Sequence, residues 1–298
     1  MPLLKTEAEK LSNNQLERGV ITEIYDRDDL FAILPFMGIN GKAYVYNREG
    51  DLATADWLDP NDTISESASK FVEVTTNLRI LAGDVDVDKF LQATMSDTND
   101  QLAIQIAAKA KALGREFRKA LVQGDHTTSP KQFDGVGKLV TTGQTISAET
   151  KALTFSMLDE LLDMIPLGAD CLMMRSGTYR AYMSLLRATS GTNAPLVMME
   201  NFGRPMLTHN GIPIIVNDFI QTVKGDDSST DVAPIYAMRL NEVDGLHGLF
   251  GGANAGIVVE NIGTVQNKDA TRTRLKWYCG LALKSTKSLA MLKNVTNI

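Results

Sequence analysis

The stretch Ser96–Gly124, SDTNDQLAIQIAAKAKALGREFRKALVQG, constrains this chain most. Leu102, Ile106, Ala110, Leu113, Phe117 and Leu121 recur in it at steps of three and four. That is one apolar stripe of helical period. Ser96 supplies an N-cap acceptor, and Asp97 and Asp100 suit the positive end of the helix dipole. Arg115, Arg118 and Lys119 fall toward the negative end, and Gly124 is the predicted C′ residue. No proline interrupts the run, and Gly114 is its one weak point. The pattern predicts a single rod roughly 40 Å long. The segments on either side decide what the rod is for.

On its N-terminal side, residues 1–19 are polar and mixed in charge, with too few apolar residues to bury alone. Val20–Ile39 turns apolar, and Pro35 stops any helix there. Gly41–Tyr46 alternates in strand fashion, and Lys70–Leu81 reads as a second strand rich in Val and Thr. Between them lies NREGDLATADWLDPNDTISESAS, polar apart from Leu52, Trp57, Leu58 and Ile64. A hairpin with so long a tip is unusual within one domain, and an exposed Trp57 calls for something to cover it. DVDVD, with Asp84, Asp86 and Asp88 at alternate positions, reads either as an oxygen-ligand site for a hard cation or as a strand end followed by a short helix, KFLQATM. The glycine and closing glutamate of an EF-hand loop are missing.

Composition narrows the class. The chain has 298 residues, 44% hydrophobic and 22% charged, as a globular protein does. A net charge of −6 argues against a surface that grips nucleic acid unspecifically. Cys171 and Cys279 are the only cysteines and build neither a disulfide framework nor a cysteine-rich zinc site. The opening residues hold no apolar run of signal-peptide length, and no run is long enough to span a membrane. The sequons at Asn61 and Asn294 are read as chance matches.

After the turn-rich GDHTTSPKQFDGVG, residues 147–261 alternate between helix and strand. Thr154 and Ser176 are predicted to cap two helices. Strands are predicted at Asp170–Met174, Ile212–Val216, Ile235–Leu240 and Ile257–Glu260, with a turn at Asn210-Gly211 that places His209 in a turn. GLFGGANAG lacks a phosphate-loop pattern and reads as a flexible turn. Thr271–Ile298 contains no Asp or Glu. In it Arg272, Arg274, Lys276 and Tyr278 alternate with Thr273, Leu275, Trp277 and Cys279, a long half-buried strand with a basic outer face. That face suits nucleic acid, a neighbouring acidic surface, or solvent. SLAMLKNV closes the chain as a strand. The three histidines, at 126, 209 and 247, fall in no catalytic motif, and no serine or cysteine sits in a nucleophile elbow. No cofactor or catalytic residue is nominated.

Taken in order, five segments carry a resemblance. They are KAYVYNREG…ADWLDPNDTISESASKFVEV, DVDVDKFL with the long helix, VQGDHTTSPKQFDGV, HNGIPIIVND, and RTRLKWYCGLALKSTKSLAMLKN. The set resembles the major capsid proteins of tailed phages, the Hong Kong 97-like shell fold that encapsulins share, from about Lys42 onward. The resemblance implies a mixed α+β subunit: an N-terminal arm (1–40), an extended β-hairpin loop (41–78), a peripheral domain with a long spine helix (79–130 and 262–298), and an axial α/β domain (131–261). It implies a structural, non-enzymatic protein without a cofactor. Copies would self-assemble into hexamers and pentamers of an icosahedral shell around packaged double-stranded DNA, bound without sequence specificity. Scaffold, portal and cementing or decoration proteins are the further partners implied, with the virion as location, assembly in the host cytoplasm and no membrane. Tyr44, Tyr46, Arg48, Trp57, Leu58, Arg272, Arg274 and Lys276 are the candidate inter-subunit contacts. The alternatives are an encapsulin-type compartment and, in another class, a soluble α/β enzyme using DVDVD for a metal.

Some shells of this family weld neighbouring subunits through an isopeptide bond from a lysine in the extended loop. That chemistry needs a neutral amine at the loop tip. Ala43–Ser69 contains no lysine; Arg48 is its only basic residue, and a guanidinium stays charged. Lys42 and Lys70 lie at the hairpin base. Assembled particles boiled in SDS with reductant are therefore expected to run as a single band near 32.6 kDa. A ladder of multimers surviving boiling would show that the bond forms.

Overall fold

The computed structural model describes residues 33–50, 52–60, 62–63, 65–90, 101–190, 196–198, 205–225, 229–252 and 256–296. Helix α1, Gln101–Gln123, spans about 35 Å. Its predicted stripe is the face it buries: Ile106, Ala110, Leu113, Phe117 and Leu121 are in the core, with Leu102 packed half-buried at the same cluster. The arm through residue 32, the Ser96 cap and most of KFLQATM lie outside the described residues. The basic residues stop short of the last turn; Arg118 instead donates to the Val216 carbonyl at 3.0 Å. Gly124 is not a left-handed cap. Its N–H continues the helical bond to Ala120 O at 2.8 Å, and a Cβ there would lie 2.3 Å from Phe133 O. The glycine is required because the returning 133–135 segment presses on the helix end.

Helix α1 lies on a five-stranded sheet centred on β14, Ala270–Leu283. Strand β4, Arg79–Asp88, pairs antiparallel along one edge of β14. The other edge takes β13, Ile257–Thr264, and then β12, Leu246–Gly251. Strand β1, Phe36–Ile39, pairs parallel with β12, so the end of the expected arm is part of this sheet. The predicted alternation of β14 holds: Thr273, Leu275, Trp277 and Cys279 are buried, while Arg272, Arg274, Lys276 and Tyr278 are half-buried. Phe117 packs at ring-centroid distances of 4.6 Å from Trp277, 5.5 Å from Phe133 and 6.1 Å from Phe36. Gly248 begins the GLFGGANAG run expected as a flexible turn, yet Gly248–Gly251 are strand. A Cβ on Gly248 would lie 2.3 Å from the Phe36 ring, so glycine here makes room for an aromatic side chain.

The acidic residues of DVDVD are strand residues, and two of them face the basic residues of β14. Arg272 forks onto Asp86 through two bonds of 2.7 Å. Arg274 forks onto Asp84 at 2.6 and 2.8 Å, and Lys276 reaches Glu260 at 2.6 Å. Asp84 and Asp86 are held below the ordinary carboxylate range, first by their arginine hydrogen bonds. A donor set already filled by guanidinium is unsuited to a cation, which corrects the metal reading of this motif.

The second sheet has eight strands. Its path runs through β5 (Thr145–Lys151), β15 (Leu289–Thr296), β11 (Asp231–Met238), β6 (Cys171–Met174), β9 (Ile212–Val216), β8 (Pro205–His209) and β7 (Leu196–Met198), with β10 (Val223–Lys224) beside β11. The short helix α2, Val136–Leu139, follows the turn after α1. Helices α3, Phe155–Asp163, and α4, Ser176–Ser190, cover one face. Thr154 caps α3 as predicted, accepting from Met157 N at 3.3 Å. At α4 the cap comes from elsewhere: Ser176 N donates to Asp218 Oδ1 at 3.0 Å. Leu172, Met174, Ile214 and Ile235 point toward these helices, while Cys171, Met173, Ile215 and Tyr236 join the core shared with α1. A sheet buried on both faces explains the nearly continuous apolar runs of β6 and β9. The Asn210-Gly211 turn is confirmed, both residues at positive φ (51° and 83°).

Strand pairing links segments from either side of the expected boundaries. Strand β12, within 131–261, and β13, which crosses from 257 to 264, belong to the sheet of β14, and β15, within 262–298, belongs to the sheet of β11. The expected strand Lys70–Leu81 is also two elements. It breaks at Leu78, whose N–H closes the hairpin on Lys42 O at 2.9 Å, before β4 departs for β14.

Two outcomes follow from this packing. Phe117→Ala should cost the subunit about 3–5 kcal/mol, against within about 0.5 kcal/mol for exposed Val243→Ala, both read by urea unfolding of unassembled protein. The arginine ladder depends on carboxylates with lowered pKa, so its stabilisation is present above the unfolded value and disappears as pH falls through the folded one. The gap in unfolding midpoint between the natural chain and D84N/D86N should hold from neutral pH downward and close below about pH 4. A gap undiminished in strong acid would show that the ladder is not electrostatic.

Candidate functional site

The hairpin is the part of the chain least satisfied by its own contacts. Strands β2, Ala43–Glu49, and β3, Phe71–Asn77, pair antiparallel from Ala43↔Asn77 to Glu49↔Phe71. Gly50 N donates to Lys70 O at 2.8 Å and ends the ladder. Farther out, short side chains replace strand pairing: Ser69 Oγ accepts from Ala53 N at 3.0 Å, and Ser67 Oγ donates to Thr54 O at 2.9 Å. At the tip Asp62 N donates to Asp59 O, with Pro60 next in the turn, as a proline turn favours. Trp57 stands beside this turn at 104% relative exposure, with Leu52 at 68% and Leu58 at 45%. Ile64 lies outside the described residues.

The base of the hairpin is tied down. Tyr46 Oη donates to Leu283 O at 2.6 Å, and Arg48 forks onto Leu283 O (2.6 Å) and Lys284 O (2.7 Å). Tyr44 lies edge-on to His247 and carries Lys284 Nζ over its ring. Side chains alternate along a strand, so Tyr44, Tyr46 and Arg48 face the chain's own β14 end while Val45 on the opposite face is exposed. Phe71 and Val72 on β3 are exposed too, at 67% and 54%. His247 beneath Tyr44 is fully buried, and burial, with Lys284 nearby, lowers its pKa.

Of the eight candidate contacts, six have partners within the chain. Tyr44, Tyr46 and Arg48 anchor the hairpin, and Arg272, Arg274 and Lys276 spend their charge on Asp86, Asp84 and Glu260. Trp57 and Leu58 present apolar surface outward. His209, expected in a turn, ends strand β8 and is buried; Nε2 meets Asp159 at 2.9 Å and Nδ1 meets Tyr182 Oη at 3.1 Å. Asp125, His126 and Asp134 bring three donor atoms within 4.8 Å of one another. They are already paired: His126 Nδ1 lies 2.7 Å from Asp134, and Asp125 accepts from Thr127 N and faces Lys138 at 3.5 Å.

Sequence reasoning missed a cavity of about 510 Å³ where the end of α1, α2, β10, β11 and β15 meet. Val122, Pro234 and Met291 give it apolar wall, Tyr236 lies in it, and Asp125, Lys138 and Lys293 contribute charge. No motif could reveal it, because its residues come from five separated segments. Cys171 and Cys279 are free and buried. No described helix is long and apolar enough to cross a membrane.

Comparison with known proteins agrees with this architecture. No curated protein matches the sequence. Among solved structures, the SrpI encapsulin of Synechococcus elongatus PCC 7942 superposes with a TM-score of 0.74 at 20% identity, covering 99% of this chain and 97% of that one. The capsid of the empty GTA particle gives 0.67 at 12% identity, covering 92% and 90%. A Microbacterium phage Oxtober96 structure gives 0.65 at 12%, covering 90% of each chain. At these identities the likeness is one of fold, the Hong Kong 97-like fold. The model of the phage capsid family matches residues 10–293, and the chain belongs to that family as a shell-forming structural protein.

Proposed function

We propose that copies of this chain assemble as hexamers and pentamers into a closed icosahedral shell, in which the hairpin of one subunit lies over its neighbour. The observation that carries this reading is Trp57, fully exposed at the tip of a hairpin whose base is bolted to its own subunit. An apolar side chain held out so far has no partner in the described part of its own chain. A neighbour supplies one, and closed symmetry gives every copy the same neighbour. The shell encloses double-stranded DNA without reading its sequence, as an acidic container suits, and belongs to a virion assembled in the host cytoplasm. Portal, scaffold and decoration proteins are further partners of such a shell. Within the subunit, the sheet of β14 with α1 forms the peripheral part and the eight-stranded sheet the axial part. The second reading is an encapsulin-type compartment, favoured by the superposition on the SrpI encapsulin over nearly the whole chain. Electron microscopy of purified particles tests the shell. Their nuclease-protected contents decide between the two readings, DNA favouring the virion and a protein cargo the compartment.

The two tryptophans make assembly visible. Trp277 is buried at 3% exposure and Trp57 is open, so a blue shift of emission on assembly reports Trp57. Burying that side chain at an interface contributes roughly 2 kcal/mol or more. Trp57→Ala should therefore abolish the shift and sharply lower particle yield while leaving the unfolding midpoint of free subunits in place. Equal loss of subunit stability would make Trp57 an ordinary core residue.

A further inference from the structure

We infer that the cavity between the end of α1 and strands β11 and β15 is the receptor for the Trp57 tip of a second copy. This rests on the shell reading above and names the surface on which the hairpin lands.

Three observations converge on it. The first is an unused hydrogen-bonding group. Tyr236 is only 4% exposed, its hydroxyl bonds to no described residue, and it lines the cavity. Burial pushes this phenol up to about 12, so it stays a neutral hydroxyl, able to accept as well as donate. The ring is buried while the hydroxyl opens into the cavity, where an arriving donor takes the place of water. The second is charge. Lys138 is offset by Asp125, which also lines the cavity, at 3.5 Å, and Lys293, with no ion-pair partner among the described residues, is the charge left over. The third is shape and polarity: Val122, Pro234 and Met291 supply apolar wall, in a volume within the about 300–1,000 Å³ of pockets that hold an organic group.

The hairpin tip offers the complement to each. Trp57 carries an apolar body and an indole N–H that bonds to no described residue. That N–H is a donor only, and the Tyr236 hydroxyl oxygen is an acceptor that no described residue occupies. From Glu49 to Ser69 the loop holds Glu49, Asp51, Asp56, Asp59, Asp62 and Glu66 and no basic residue. Lys293 at the cavity and carboxylates flanking the tryptophan steer the two together and fix their register, while the buried aromatic group contributes most of the contact energy. Trp57 inserts, its N–H donates to Tyr236, and Asp56 or Asp59 meets Lys293.

The experiment places a photo-cross-linker at the tip. Particles assembled from chain with Trp57→p-benzoylphenylalanine are irradiated, digested and mapped by mass spectrometry. Inter-chain cross-links to residues 122–138 or 291–294 are expected. In parallel, Lys293→Glu should lower particle yield several-fold, and Asp59→Lys combined with it should restore yield. Intact particles whose cross-links fall elsewhere on the neighbour would overturn this assignment and leave the shell reading standing. The same holds if Lys293→Glu assembles like the natural chain. Failure of the natural protein to form any particle would instead sink the shell reading and this inference with it.

Discussion

The packing of Phe117 on Trp277 is the contact on which the rest of the subunit depends. It joins the long helix to the central strand of the first sheet, and Phe36 and Phe133 close around the same point. Aromatic side chains bury more area per residue than any other, and tilted rings add a specific geometry. This cluster brings together segments from positions 36, 117, 133 and 277. Two glycines follow from it: Gly248 yields space to the Phe36 ring, and Gly124 yields space to the backbone that brings Phe133 in. Most of a helix's stability in a protein comes from packing its apolar face, and packing this stripe on a sheet is what fixes α1.

Charge in this chain is spent locally. The arginines of β14, which look in sequence like a free basic stripe, lie opposite acids of β4, and strand register brings each fork to one carboxylate. Bidentate pairs of this kind fix register more than they add stability at a partly exposed surface. The hairpin is treated the other way. Tyr46 and Arg48 lock its base to the carbonyls where β14 ends, while its far half carries acids without bases and a bare tryptophan. A rigid base with an unsatisfied tip limits the entropy lost when the tip finds a partner.

What could be read in the sequence was what has a period. The stripe of α1, the alternation of β14 and the Asn210-Gly211 turn all encode their geometry in neighbouring residues, and all appear in the fold. The division into two sheets could not be read, because β15 pairs with β11 and β5, far away in sequence. The glycines misled for a related reason. Gly124 and Gly248 resemble caps and turns locally, but both answer to atoms from distant segments. At the candidate site, Trp57 was legible because an aromatic in a polar run is an anomaly on its face. The roles of Tyr46 and Arg48 were not, since their partners are main-chain carbonyls. The Tyr236 cavity left no mark, because it exists only once α1, β11 and β15 have been brought together.

In the proposed shell, whose loop offers no lysine for a weld, subunits hold by contacts that are individually modest. One buried tryptophan and a pair of rim charges contribute a few kcal/mol at most. Under the inferred docking, each copy of a closed assembly makes such a contact twice, once as donor of a tip and once as receiver. Once a neighbour is in place, every further contact forms at high effective concentration. Weak single contacts then let a wrongly placed subunit leave, while the completed shell is stable because no copy can leave without breaking several contacts together. The anchored hairpin base fits that demand: adding a subunit need order only the tip, not the whole loop.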